Sequence, residues 1–131
     1  MAAPTPVTKR GQSGHSGYTI WYATWANTDD HSDNVVVDLT DLTSYTTALK
    51  ITKGQIVASA GISVMLELDA STDIPIALHP TGASGRIDFD FENTPGGGIS
   101  SASGDTGDLL LTTTSCASGD MVYVYVEWKA Y

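Results

Sequence analysis

Asp88, Asp90 and Glu92 recur at every second position of Arg-Ile-Asp-Phe-Asp-Phe-Glu. On an extended chain that spacing places all three carboxylates on one face. A column of like charges repels itself unless water, a cation or the basic side chains of a partner protein counter it. A second acidic group, Asp29-Asp30-His31-Ser32-Asp33, offers oxygen ligands to a hard cation such as calcium, but it lacks the spacing and central glycine of an EF-hand loop. Paired carboxylates could also serve glycoside hydrolysis, which needs one carboxyl raised by an apolar setting, and none stands in an obvious one. His15, His31 and His79 fall in unrelated loops, and none pairs with another at metal spacing. The single cysteine, Cys116, has no nucleophile motif around it and reads as a half-buried thiol in a turn. There is no Gly-x-Ser-x-Gly, phosphate loop or zinc motif. The chain therefore reads as a non-enzyme, with no catalytic residue, metal or cofactor expected.

Aromatic residues are the other source of chemistry. Trp21 and Trp25 share one face of an extended Tyr18–Trp25, roughly 13 Å apart at strand rise. Three roles fit them: core, protein interface, or a platform on which sugars stack. In Met121–Trp128, Val122, Val124, Val126 and Trp128 take one face, and Met121, Tyr123, Tyr125 and Glu127 the other. The valine face asks for a core; the tyrosine face asks for a half-wet surface or a partner.

The elements that must position these residues are strands. Alternation marks Tyr18–Trp25, Val35–Leu39, Ala48–Thr52, Gln55–Leu68 interrupted at Gly61, Ile74–Leu78, Arg86–Glu92, Asp108–Thr114 and Met121–Trp128. Lys53-Gly54 reads as a turn, Asp41–Thr47 as loop or a single helical turn, and Asn93–Gly107 as a long Gly/Ser loop. Pro75 places its strand at a sheet edge or strand start. About eight or nine strands with no convincing helix predict an all-β, antiparallel, jelly-roll-like sandwich. Residues 1–17, with Pro4, Pro6, Gly11, Gly14 and Gly17, predict a flexible extended arm, and residues 18–131 the sandwich domain.

At 131 residues the chain is long enough for one core without staples. Its net charge of −9 disfavours nucleic acid and anionic membranes. Lys9 and Arg10 give the arm two positive charges and no negative one, so the body beyond it is more acidic still. One cysteine suits a reducing cytosol, and the N-terminus has no apolar run of a secretory signal.

Three stretches carry a resemblance: Gly107-Asp108-Leu109-Leu110-Leu111-Thr112-Thr113 with Ser118-Gly119-Asp120-Met121-Val122-Tyr123, the segment Ser63–Asp73, and the glycine-rich Pro95–Gly98. Together, over roughly residues 35–126, they resemble small virion structural proteins of tailed bacteriophages, of the capsid decoration or cement type. Residues 1–25 and Trp128–Tyr131 lie outside it. The resemblance implies a protein made in the host cytoplasm that sits on the outer surface of the capsid. It would bind the major capsid protein and copies of itself, as a homo-oligomer, and stabilise the head by bridging neighbouring subunits. Lys9, Arg10, Trp21, Tyr22, Trp25, Tyr123 and Tyr125 are the expected capsid or self-contacts, with Asp88, Asp90 and Glu92 as carboxylates facing a partner. The alternative from the tryptophan pair is a carbohydrate-binding sandwich on the virion surface or tail.

Overall fold

A computed structural model describes residues 3–42, 48–83, 85–100 and 107–130. The strands in chain order are β1 (Val7–Ser13), β2 (Ser16–Thr24), β3 (Asn34–Val37), β4 (Leu49–Ala58) and β5 (Ser63–Leu68). They continue as β6 (Ile74–His79), β7 (Gly85–Asp90), β8 (Ile99–Ser100), β9 (Leu109–Thr114) and β10 (Met121–Ala130). One 3-10 turn, Leu39–Asp41, follows β3 and is capped by Asp38, whose side chain accepts from the Thr40 N–H. The front sheet has the order β1-β2-β10-β4-β7, with β8 also pairing β4; the back sheet has the order β3-β9-β5-β6. Every pairing is antiparallel. Without β1 and β8, the two four-stranded sheets have the interleaved strand order of a jelly roll, as the alternation predicts.

β10 lies at the centre of the front sheet, between β2 and β4. Its valines and Trp128 point inward and are fully buried, against Val64, Leu66, Leu68, Leu109 and Leu111 of the back sheet. The three tryptophans, Trp21, Trp25 and Trp128, all belong to this core. A buried indole N–H needs an acceptor. Trp128 donates to Thr19 Oγ1 at 3.0 Å, Trp21 to Asn34 Oδ1 at 3.0 Å, and Trp25 to the Asp29 carbonyl at 2.7 Å.

The structure departs from the sequence expectation at Val7–Ser13, at Lys53-Gly54 and at Ile99–Ser100, where β8 forms inside the expected long loop. Val7–Ser13, expected within a flexible arm, is in register with β2 from Val7↔Tyr22 to Ser13↔Ser16. An edge strand buries little, so its residues need only bond along one side, and a polar sequence suffices. The turn expected at Lys53-Gly54 is absent, because β4 runs straight through it and merges two expected strands. Glycine is required there for packing, not for turning: a Cβ on Gly54 would strike the Tyr125 carbonyl and approach the Phe89 ring to 2.8 Å. The described residues form ten strands. Parts of the expected segments 41–47 and 93–107 fall outside the described residues.

Replacing Gly54 by alanine should overpack this crossing and lower stability by roughly 1–3 kcal/mol. A thermal melt checks it; an unchanged Tm would show that the strands separate there freely.

Candidate functional site

Strand alternation carries the inward valines of β10 over to an outward tyrosine face. Tyr123 lies directly opposite Tyr22 of β2, and their rings stack at 6.4 Å between centroids. Tyr18 lies opposite Glu127, and its ring stacks on Tyr125 at 6.2 Å. Tyr18 and Val7 are more than 40% exposed, and Tyr22, Tyr123 and Tyr125 are half-buried. The Tyr18 ring lies across Gly11 of β1, where any Cβ would collide with it. The face thus carries two stacked pairs of aromatic rings on the outer side of the front sheet.

One end of this face is charged. A depression of about 230 Å³ beside Tyr125 is lined by Lys53, Gln55, Asp88, Asp90 and Glu127. Lys53 lies 3.5 Å from Glu92 and 3.8 Å from Glu127, and Arg86 lies 3.2 Å from Asp88. Burial and the neighbouring Glu127 charge push the Tyr125 phenol above its ordinary value. Asp88 and Asp90 share the exposed face of β7 as expected; Glu92 lies just beyond the strand end.

Lys9 and Arg10 are exposed on β1, at the other edge of the same sheet. Paired residues share a face, so Lys9, opposite Ile20, lies with the tyrosines, while Arg10, opposite Thr19, lies on the reverse side. There it joins a 260 Å³ recess with Thr8, Thr19, Asp38 and Asp41. Tyr22, Tyr123 and Tyr125 are on the surface face as predicted. Trp21 and Trp25 are not: they are 0% and 3% exposed, so neither can contact a partner or stack on a sugar. Tyr18 belongs to the first-strand aromatics and shares the face of Tyr22; Val7 was missed as a contact candidate because residues 1–17 read as an arm, which hid its parity with β2.

The acidic loop after β2 is structural. Burial alone would raise the Asp30 carboxyl, but hydrogen bonds from Cys116, Thr113 and Ser115 outweigh it and hold it low. Asp30 Oδ1 accepts from the Cys116 N–H at 3.0 Å and from Thr113 Oγ1 at 3.1 Å. His31 is wedged between Trp21 and Trp25 at 5.4 and 5.6 Å between ring centroids. Burial pushes the Cys116 thiol up to about 12, which removes it as a nucleophile. On the back sheet, Asp33, Glu67 and Asp73 bring carboxylate oxygens within 4.8 Å of one another. Burial, then repulsion from Asp73 and Asp33, raises the Glu67 carboxyl.

No protein-family model matches the chain, and no curated protein matches its sequence. Among solved structures, the Drosophila NLP core, described for pentamer formation and histone binding, is 14% identical over 88% of this chain and 97% of that one, with a TM-score of 0.39. An RmlC-like cupin protein from Methanocaldococcus jannaschii is 9% identical over 98% of this chain and 82% of its own, with a TM-score of 0.35. A virus-like particle of extra small virus from the giant freshwater prawn Macrobrachium rosenbergii gives 16%, 97%, 85% and 0.33 in the same order.

The burial of His31 is expected to make the fold pH-sensitive. Burial lowers its imidazole from an ordinary value of 6.5, against opposing contributions from the Pro4 carbonyl and Asp30. Below that ordinary value the unfolded chain takes up a proton that the folded chain resists, so stability falls as pH falls. Melts between about pH 8 and pH 5 should show a falling Tm, with a shallower slope in His31→Phe. Parallel slopes would remove His31 as the cause.

Proposed function

We propose that this chain is a virion structural protein of a tailed bacteriophage, a capsid decoration or cement protein on the outer surface of the head. The observation that carries the reading is the tyrosine face of the front sheet, where two stacked pairs of rings, Tyr18 with Tyr125 and Tyr22 with Tyr123, are turned away from the core. Tyrosines offer large contact area with little conformational freedom to lose, which is why interfaces are rich in them. The sequence resemblance over roughly residues 35–126 names the kind of surface the face would meet. Two groups that could react are tied into the fold: the Cys116 thiol is buried, and the loop carboxylate Asp30 is held by hydrogen bonds to its neighbours.

The mechanism is mass action. A protein that binds the assembled shell, and not its separated subunits, stabilises the shell in proportion to its occupancy. The net charge of −9 favours basic groups on the major capsid protein around an aromatic centre. Lys9, on the tyrosine side of β1, adds one cation at the rim of the face. The chain would be made in the host cytoplasm and join the head after assembly.

The depression beside Tyr125 supports a second reading, a carbohydrate-binding module. A ring flanked by Gln55, Asp88, Asp90 and Glu127 has the groups that orient a sugar. It replaces the tryptophan platform, which the core has absorbed.

The test is Tyr22→Ser with Tyr123→Ser. Each interface tyrosine contributes about 2 kcal/mol where it is central, about thirtyfold in affinity. The double variant should fold, yet be lost from purified particles, which then release their contents at lower temperature. Full occupancy by the variant would sink the face as the binding surface. Absence of the chain from mature particles would sink the reading itself, and saturable binding to a glycan panel, lost in Tyr125→Ala, would establish the second one.

A further inference from the structure

A sheet edge presents unpaired N–H and C=O groups, and natural chains block edges with short strands, prolines or like charges. Three of the four edges here carry such a device. β3 has four residues and an irregular register. β6 carries Pro75 and a register shift beside it. β1 carries Lys9 and Arg10 with no acidic residue, so two copies of this edge repel one another.

β7 is different. It has six residues, Gly85–Asp90, with no proline and with charges of both signs on one face: Arg86, Asp88 and Asp90. Its Phe91 N–H donates to the Thr52 carbonyl at 2.7 Å, continuing the register Asp90↔Lys53. Hydrogen-bonding direction alternates along an antiparallel strand. Residues 87, 89 and 91 therefore turn their backbone groups toward β4, and Arg86, Asp88 and Asp90 turn theirs outward, where no backbone partner stands among the described residues.

The geometry points to an isologous dimer in which β7 of one copy pairs antiparallel with β7 of a second copy, about a two-fold axis through Ile87. In this register Arg86 of each copy faces Asp88 of the other, and both are hydrogen-bonded positions. The in-chain contact between Arg86 and Asp88, with both side chains 62% exposed, gives way to two equivalent contacts across the axis. Slipping each strand by one position about the axis would face Arg86 with Asp90 but set Asp88 against Asp88 between them, a like-charge pair the proposed register avoids. Ile87, half-buried at the rim of the sandwich, gains cover from its counterpart across the axis. The two-fold axis stands normal to the sheet, so both tyrosine faces lie on the same side of one continuous sheet. The inference holds whether or not that face binds a capsid.

Sedimentation of the purified chain over a concentration series tests this. Wild type should dimerise, and R86D and D88R should each weaken dimerisation by about tenfold or more, because each sets like charges opposite one another at two places. The double variant R86D/D88R regenerates the opposite-charge pairs and should recover wild-type association. Ile87→Cys should form a disulfide-linked dimer under mild oxidation, since Cα atoms of a non-hydrogen-bonded pair are about 4.5 Å apart, within disulfide reach. Cys116 is buried and stays silent. A wild-type chain that remains monomeric up to about 1 mM overturns the proposal. So does a double variant no better than the single ones, or a dimer in which Ile87→Cys fails to cross-link.

Discussion

Everything on the outside of this molecule follows from one face of β10 being buried. Strand side chains alternate, so fixing Val122, Val124, Val126 and Trp128 inward leaves Tyr123, Tyr125 and Glu127 no choice but to face out. Register then transmits the choice sideways: Tyr22 must lie beside Tyr123, and Val7 beside Tyr22. A slip of one residue would drive the tyrosines into the core and the valines into water. The aromatic surface is therefore as firmly specified as the core, and the same free energy of burial specifies both.

The same economy ties residues that could do chemistry into the packing. Asp30, His31 and Cys116 sit where β9 meets the loop before β3, and each is tied into packing. The Asp30 carboxylate accepts the backbone N–H groups of Ser115 and Cys116, donors that would otherwise be left over at a strand end. The His31 backbone donates to Thr113 Oγ1, and its ring fills the space between two indoles. Acidic residues in a polar loop look like ligands in sequence. In the fold this one serves as a cap.

Most strands were legible because alternation is a local signal: β5, β9 and β10 stand within a residue or two of where period two places them. What was not legible depended on partners distant in sequence. Gly54 looks like a turn because the residues that need its missing side chain, Tyr125 and Phe89, are far along the chain. β1 looks disordered because a strand paired on one side, with nothing over it, needs no hydrophobic alternation. Trp21 and Trp25 were ambiguous because parity shows that they share a face without showing which face is covered. The acceptors that decide it, Asn34 Oδ1 and the Asp29 carbonyl, belong to the loop and strand that follow.

The two ends of the front sheet are unequal in a way that bears on assembly. A protein that works by covering a lattice must not polymerise on its own, yet gains from presenting more than one contact face. Blocking β1 with two cations prevents sheet growth at that edge. Leaving β7 self-complementary allows one closed pairing, and a two-fold contact uses up the edge that makes it. In the proposed dimer, two tyrosine faces held on one side of the sheet would engage the proposed shell as one unit, the second at high effective concentration once the first has landed. Individually weak contacts suffice in that arrangement. A surface built from half-buried tyrosines, without a deep pocket or a buried charge, is suited to such weak and repeated contacts.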